Sequence, residues 1–354
     1  MIVNCRFLTQ PVTGVQRYAI ALSRELKKRN PSIEFVSPPG VLEPRLAKEL
    51  GVKIVGSKGG HYWEQFSLRR YLKRNGNPIC LSLSGLGPVL YNRNIITIHD
   101  MAPYHQPNWF SKKYSYWYKI AYKLLVNRVI KVLTVSDFSK TEIIKYLKID
   151  DDRIAKILNV CSFPEGKSNA MVEKRPNESK SLNRIKVLAV SSLEPRKNFE
   201  KLIEAAAMFE DDRVEFLIVG KSGAAFQKQR KINLNENVRF LGYRSDEELA
   251  ELYTKASLFV YPSLYEGFGI PLLEAMNYSC PVACSDIKVF HEVAGKAAIY
   301  FDPLSAVSIA EAIKKVVDDE DFGLYLKEEG QKQLRFYSIE TEAEKLLTIL
   351  EELE

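Results

Sequence analysis

Long apolar runs are missing from this chain. Nowhere do about 18 apolar residues follow one another, so no segment is expected to span a membrane. The opening MIVNCRFLTQ has no basic stretch followed by an apolar one, which argues against a secretory leader and for a cytosolic address. The five cysteines, Cys5, Cys80, Cys161, Cys280 and Cys284, are scattered, and no two have C-x2-C spacing. A zinc ribbon and a disulfide framework are both excluded, and reduced core thiols are expected. No metal and no resident cofactor is implied. Asp150-Asp151-Asp152 has an acid-x-acid form, but no strand feeds it and Arg153 follows, so it reads as a solvated turn.

Two nucleotide motifs are also absent. Gly85-Leu86-Gly87-Pro88 begins like a dinucleotide fingerprint, yet Leu90 stands where the third glycine belongs and Pro88 intrudes. Gly220-Lys221-Ser222 ends like a P-loop, but the first glycine it requires would fall at Glu215.

What is present begins with length: 354 residues are enough for two hydrophobic cores. Apolar runs alternate with helix-period segments in both halves, the pattern of parallel sheets covered by helices. The stretch SFPEGKSNAMVEKRPNESKSLN is polar and rich in helix breakers, and its residues 166–183 read as a linker. The reading is α/β: an N-terminal domain over residues 1–165 and a C-terminal one over 184–336, with a final helix in 337–354. Charge divides at the same place. Residues 1–165 hold 26 Lys and Arg against 12 Asp and Glu, whereas the rest holds 25 against 32. A basic half suits a phosphate-bearing acceptor or an anionic membrane surface. Nucleic acid would suit the charge too, but no nucleic-acid motif accompanies it. Residues 112–131 read as a helix dense in aromatics and bases, either interfacial or a packed helix with a basic outer face.

The chemistry gathers in LFVYPSLYEGFGIPLLEAMNYSCPVACSD, residues 258–286. An apolar strand, the turn Glu266-Gly267-Phe268-Gly269, a helix from about Ile270 and a second apolar strand make a βαβ unit. Its turn can offer backbone N–H groups and a positive helix end to a phosphate. Glu274 lies among Pro271, Leu272, Leu273, Ala275 and Met276, so its carboxylate should be partly buried and need a partner such as a vicinal pair of hydroxyls. A solvated helix face carrying two acids is the plainer alternative for Glu266 and Glu274.

This segment resembles the family-4 retaining glycosyltransferases of GT-B fold, which carry a Glu-x7-Glu signature in a setting much like YEGFGIPLLEAM. The resemblance implies two Rossmann-like domains facing each other across a cleft, with acceptor on the first, nucleotide-sugar donor on the second, and the final helix in 337–354 crossing back onto the first. It implies that Glu266 contacts the donor sugar, Glu274 the ribose hydroxyls, and the Gly267-Phe268-Gly269 backbone the diphosphate and sugar. The stretch Glu194-Pro195-Arg196-Lys197-Asn198 is similar to a family loop whose Arg and Lys bind the diphosphate. Two fixed positive charges at a strand-to-helix junction would stabilise the charge that grows on that leaving group, with no metal needed. Phe240 and Leu241 lie in a strand whose edge, in the family, contacts the base through backbone atoms.

In the first half the match is confined to scattered points. Gly14 opens a helix where close backbone approach to a ligand is allowed, and in the family a glycine loop here faces the diphosphate. Arg17 could add charge on the first turn. His99-Asp100 ends a strand where α/β sheets bind ligands; a family histidine there touches the donor sugar, while Asp100 capping the next segment is the alternative. Ser136 lies in a turn that family members also carry. His61 reads as a loop histidine.

The expected function is retaining hexosyl transfer from a nucleotide-diphosphate sugar to a saccharide or polyprenyl-diphosphate-linked acceptor in bacterial surface polysaccharide synthesis. RFLTQPVTGVQRYA and Trp63-Glu64-Gln65 are similar to mannosyltransferase-like members, which points to GDP-mannose. A sugar-nucleotide epimerase or hydrolase, or a non-catalytic binding subunit, is the rival reading.

Overall fold

The computed structural model describes residues 1–160, 184–220 and 236–353. They fall into two compact units, one within Met1–Ser162 and Ser338–Glu354, the other within Phe163–Tyr337. The linker read at 166–183, Cys161, Lys221 and Ser222 lie outside the described residues.

In the first unit seven parallel strands form one sheet: β1 (Ile2–Asn4), β2 (Glu34–Ser37), β3 (Lys53–Ile54), β4 (Cys80–Ser82), β5 (Asn94–Thr97), β6 (Lys131–Thr134) and β7 (Ile154–Lys156). Their order is β3-β2-β1-β4-β5-β6-β7. Every residue of β1, β4 and β5 is buried, as strands covered on both faces require. Helix α1 (Gly14–Arg29) opens on a capping box formed by Thr13 and Gln16. It buries Tyr18, Ala19, Leu22 and Leu26, and Lys27, Lys28 and Arg29 end it, where the helix dipole favours cations.

The expected helix at 112–131 is shorter, α2 (Lys112–Val126). Helix α3 (Asp137–Leu147) follows β6 and is capped by Ser136 Oγ, which accepts from Ser139 N at 3.0 Å. Within the helical stretch Gly60–Arg74, residues Trp63–Leu68 form a π turn whose Trp63 Nε1 donates to Val55 O at 2.6 Å.

In the second unit six parallel strands form the sheet: β8 (Ile185–Val190), β9 (Val214–Val219), β10 (Val238–Gly242), β11 (Leu258–Tyr261), β12 (Val282–Ser285) and β13 (Ala298–Phe301), in the order β10-β9-β8-β11-β12-β13. Helices α4 (Phe199–Ala206), α5 (Asp246–Lys255) and α6 (Ile270–Asn277) connect them. Phe216, Leu258, Val260, Phe301, Ile309 and Ile313 form the centre of its core. The last helix, α7 (Ile339–Glu351), belongs to the first unit: it packs against α1, and its Glu342 Oε2 accepts from Leu158 N at 2.8 Å.

Strands β7 and β13 carry no periodic pattern strong enough to be read from sequence; both are short and lie at sheet edges. Each sheet reverses its strand order once, between β1 and β4 and between β8 and β11. Ligands of open α/β sheets bind outside the carboxyl ends of strands at that point. In the second unit the loops leaving β8 and β11 carry Arg196, Lys197 and Glu266.

Candidate active site

After β8 the chain makes a 3-10 turn, Pro195–Lys197, and Asn198 takes a left-handed conformation with φ 57°. Asn198 Nδ2 donates to Pro262 O at 3.0 Å and to Pro303 O at 2.7 Å, and Leu264 N donates to Arg196 O at 2.8 Å. These bonds fasten the β8 loop to the β11 loop. Lys197 Nζ consequently lies 2.5 Å from Glu266 Oε1, and Arg196 Nη1 lies 3.3 Å from Glu266 Oε2. Tyr261, the last residue of β11, donates its hydroxyl to Glu266 Oε1 at 2.8 Å. Arg196 Nε also donates to Glu194 Oε2 at 2.9 Å.

Lys197 and Glu266 are both buried. Burial pushes the Glu266 carboxyl up, but the adjacent Lys197 and Arg196 charges and the Lys197 bond outweigh it and hold the group at about 2. Burial pulls the Lys197 ammonium down, Glu266 opposing and Arg196 adding to the pull. The two bases read from sequence as fixed positive charges are thus each paired with a carboxylate, Arg196 with two.

Helix α6 begins at once after this cluster. Gly269 has φ 113°, and a Cβ there would meet Phe290 Cε1 at 3.0 Å, so glycine is required on both counts. The Phe268 ring is buried edge-on to Tyr337, with centroids 5.8 Å apart, so its side chain anchors the turn inside the unit and any ligand contact falls to the backbone. Glu274, half-buried, lies one turn into α6. Tyr253 of α5 donates to its Oε2 at 2.9 Å, and the Tyr253 ring stacks on Tyr278 at 5.9 Å. At the sheet edge the β10–β9 register shifts between Phe240 and Gly242, leaving Leu241 as the extra residue of a bulge.

The structure therefore brings Arg196, Lys197, Glu266 and the Gly267-Phe268-Gly269 turn to one strand-end region of the second unit. Gly14 and His99 belong to the first unit. Gly14 is the exposed first residue of α1. His99 Nε2 lies 3.0 Å from Leu83 O, and because a carbonyl only accepts, that nitrogen carries the hydrogen. The ring also packs edge-on against Tyr18 at 5.0 Å. Burial lowers its pKa against the pull of Leu83 O and Asp100. Asp100 caps the next segment, accepting from Ala102 N at 2.9 Å. His61, expected in a loop, is instead an exposed residue of the short helix Gly60–Tyr62, because that helix runs straight on into the π turn at Trp63, and its Nδ1 lies 3.4 Å from Glu64 Oε2.

Sequence reading missed Tyr261, Tyr253 and the role of Glu194. Tyr261 had a visible signal, a polar tip closing an apolar strand five residues before Glu266; Tyr253 had none. It also missed a buried pair in the first unit, Arg6 Nε to Glu64 Oε1 at 3.0 Å, to which Asn4 Nδ2 adds a bond at 3.0 Å.

With this geometry established, comparison with known proteins gives concordant results. The family model "Glycosyltransferase Family 4" matches residues 12–160, and "Glycosyl transferases group 1" matches 171–333. The O-antigen chain mannosyltransferase RfbU of Salmonella typhimurium is 34% identical over 258 residues, covering 72% of this chain and 69% of that protein. The O-antigen chain mannosyltransferase B of Escherichia coli is 30% identical over 274 residues, covering 72% and 70%. Among solved structures, Anabaena Alr3699/HepE in complex with UDP and glucose superposes with a TM-score of 0.74 at 16% identity, over 99% of both chains. That likeness shows the fold, GT-B with two Rossmann-like domains. Fold, sequence and family models agree, and the chain belongs to glycosyltransferase family 4.

Proposed function

We propose that this glycosyltransferase moves a mannosyl group from GDP-mannose, with retention and without a metal, to a saccharide carried on polyprenyl diphosphate, in bacterial surface polysaccharide synthesis. The observation that carries the reading is the buried cluster of Arg196, Lys197, Tyr261 and Glu266 at the start of α6. Charge grows on the leaving diphosphate as the sugar bond breaks, and Arg196, Lys197 and the α6 N-terminus supply fixed positive charge and dipole for it. Glu266 is the donor-sugar contact, held ionised and aimed by three partners. Glu274, oriented by the Tyr253 hydroxyl at its Oε2, is the contact for the ribose hydroxyls. The base lies along Phe240 and Leu241, where the bulge takes Leu241 out of the ladder.

In the first unit, His99 donates from Nε2 to Leu83 O, so its neutral ring keeps Nδ1 as an acceptor for a sugar hydroxyl. The exposed Gly14 backbone at the α1 N-terminus suits a phosphate. Attack is front-face: the leaving phosphate oxygen takes the proton of the acceptor hydroxyl while that hydroxyl bonds to the anomeric carbon. The protein works in the cytoplasm, at the inner face of the membrane. Mannosyltransferase names among the relatives and the UDP-bound structural neighbour support donor class and pathway. The test is proton NMR of the product from GDP-α-mannose and a synthetic polyprenyl-diphosphate saccharide. An α linkage formed in the presence of a chelator is expected. A β linkage, a mannosyl-enzyme trapped on a side chain, or free mannose made as fast without acceptor as with it would overturn the reading.

A further inference from the structure

Helix α2 carries no acidic residue, and none occurs between Asp100 and Asp137, where six bases stand: Lys112, Lys113, Lys119, Lys123, Arg128 and Lys131. The inward face of the helix is accounted for: Ala121, Tyr122, Leu125 and Val126 are buried in the core of the first unit. Its outward face is not polar. Tyr116 is 69% exposed, Trp117 46%, Ile120 38% and Leu124 42%. At 100° per residue these four fall within an arc of about 100°, with Lys123 on one edge and Arg128, just past the helix end, on the other. Lys113 lies on the stripe at its N-terminal end.

An apolar stripe bordered by bases, with Tyr and Trp in it, is the composition of a helix lying in a membrane interface. The rings enter the headgroup boundary and the long basic side chains reach phosphates. At 15 residues the helix is only about 22 Å long, and among the described residues no helix is long and apolar enough to cross a membrane.

We infer that the outward face of α2 is a membrane-docking surface whose partner is an anionic lipid bilayer. Charge complementarity selects that partner: a second copy of this chain would set Lys113, Lys123 and Arg128 against their own like charges, whereas a phospholipid headgroup layer neutralises them. The inference rests on the membrane-borne acceptor proposed above and names the surface by which the enzyme reaches it.

The test is co-sedimentation of the full chain with vesicles containing roughly 30 mol % phosphatidylglycerol, compared with pure phosphatidylcholine. The wild-type protein should pellet with the anionic vesicles only and be released by salt. Its tryptophan emission should shift to the blue; Trp63 is already fully buried, and loss of the shift in Trp117→Ser, which leaves the part-buried Trp109 in place, assigns it to Trp117. Trp117→Ser with Ile120→Ser, and separately Lys113→Gln with Lys123→Gln, should each weaken partitioning about tenfold or more while the thermal melt stays unchanged. Wild-type protein that stays in the supernatant refutes the surface, as does a Trp117→Ser/Ile120→Ser variant that pellets like wild type. A variant that changes oligomeric state while still binding vesicles shows the face to be a protein contact and also refutes it. Turnover of GDP-mannose with a water-soluble acceptor separates the two proposals. If it persists in variants that have lost vesicles, the transferase reading stands whatever becomes of the surface. If it is absent in a wild-type protein that binds vesicles, that reading falls and the surface survives.

Discussion

Lys197 Nζ and Glu266 Oε1 lie 2.5 Å apart although 69 residues separate them in sequence. They meet because β8 and β11 are neighbours in the sheet and both loops leave from the same ends of those strands. Breaking one half of such a buried pair leaves the other half uncompensated. Lys197→Ala is therefore expected to cost about 3 kcal/mol, and Glu266→Gln a similar amount, in urea unfolding. The double variant should recover part of that loss, with a coupling of at least about 1 kcal/mol. Additive losses would show that the two side chains do not act as a pair.

The Glu266 carboxyl, at about 2 in the folded protein against an ordinary 4.5, also sets a pH dependence. A depressed carboxylate contributes stability above its unfolded pKa and loses it as pH falls toward the folded one. We expect about 3 kcal/mol from this group to be intact at pH 6 and to drain away between roughly pH 4.5 and 2. In Glu266→Gln that part of the acid limb should vanish. Chemical unfolding of both proteins across this range measures it, and identical limbs would sink the assignment.

Tyr253 orients Glu274 by a hydrogen bond and its ring packs under α6. Tyr253→Phe keeps the ring and the stack but removes this bond to the carboxylate. The expected outcome is a donor dissociation constant raised about fivefold, equivalent to about 1 kcal/mol, with kcat almost unchanged. A fall in kcat at unchanged affinity would place Glu274 in the chemistry rather than on the ribose.

His99 must be neutral to accept a hydroxyl through Nδ1. Its pKa is lowered by burial, so it protonates only below the usual 6.5. The kcat/KM profile should thus stay flat as pH falls to 6.5 and decline below that, and His99→Asn should remove the decline at the cost of about a hundredfold in rate. An acid limb starting above pH 7 would contradict this role.

Much of this architecture was legible in the chain because parallel strands buried on both faces read as apolar runs. Leu258–Tyr261 and Ile185–Val190 are such runs, and their breakers, Pro262 and Pro195, mark the loops that carry chemistry. Glu266 stood out as a charge in a glycine-bearing turn between apolar runs, and Arg196 and Lys197 as adjacent bases at a strand-to-helix junction. Their mutual contact did not, since nothing local shows that β8 and β11 pair. Tyr253 and Glu64 were hidden for a related reason: each lies on an ordinary-looking helical turn and acquires its importance only from a partner 21 or 58 residues away. Edge strands β7 and β13 escaped because two or three alternations are too few to separate a strand from a turn.

The pairing of Arg196 and Lys197 with Glu194 and Glu266 has a consequence for selectivity. Any incoming anion competes with carboxylates tethered to the same scaffold, and tethering gives them an effective concentration on the order of millimolar or more. Inorganic phosphate, which brings charge and nothing else, should lose that contest, and calorimetry showing tight phosphate binding would disprove the idea. A sugar nucleotide adds its base, ribose and hexose to the balance and can displace the incumbents. If the donor binds as proposed, the resident acids are a filter that admits the whole sugar nucleotide while turning away small anions.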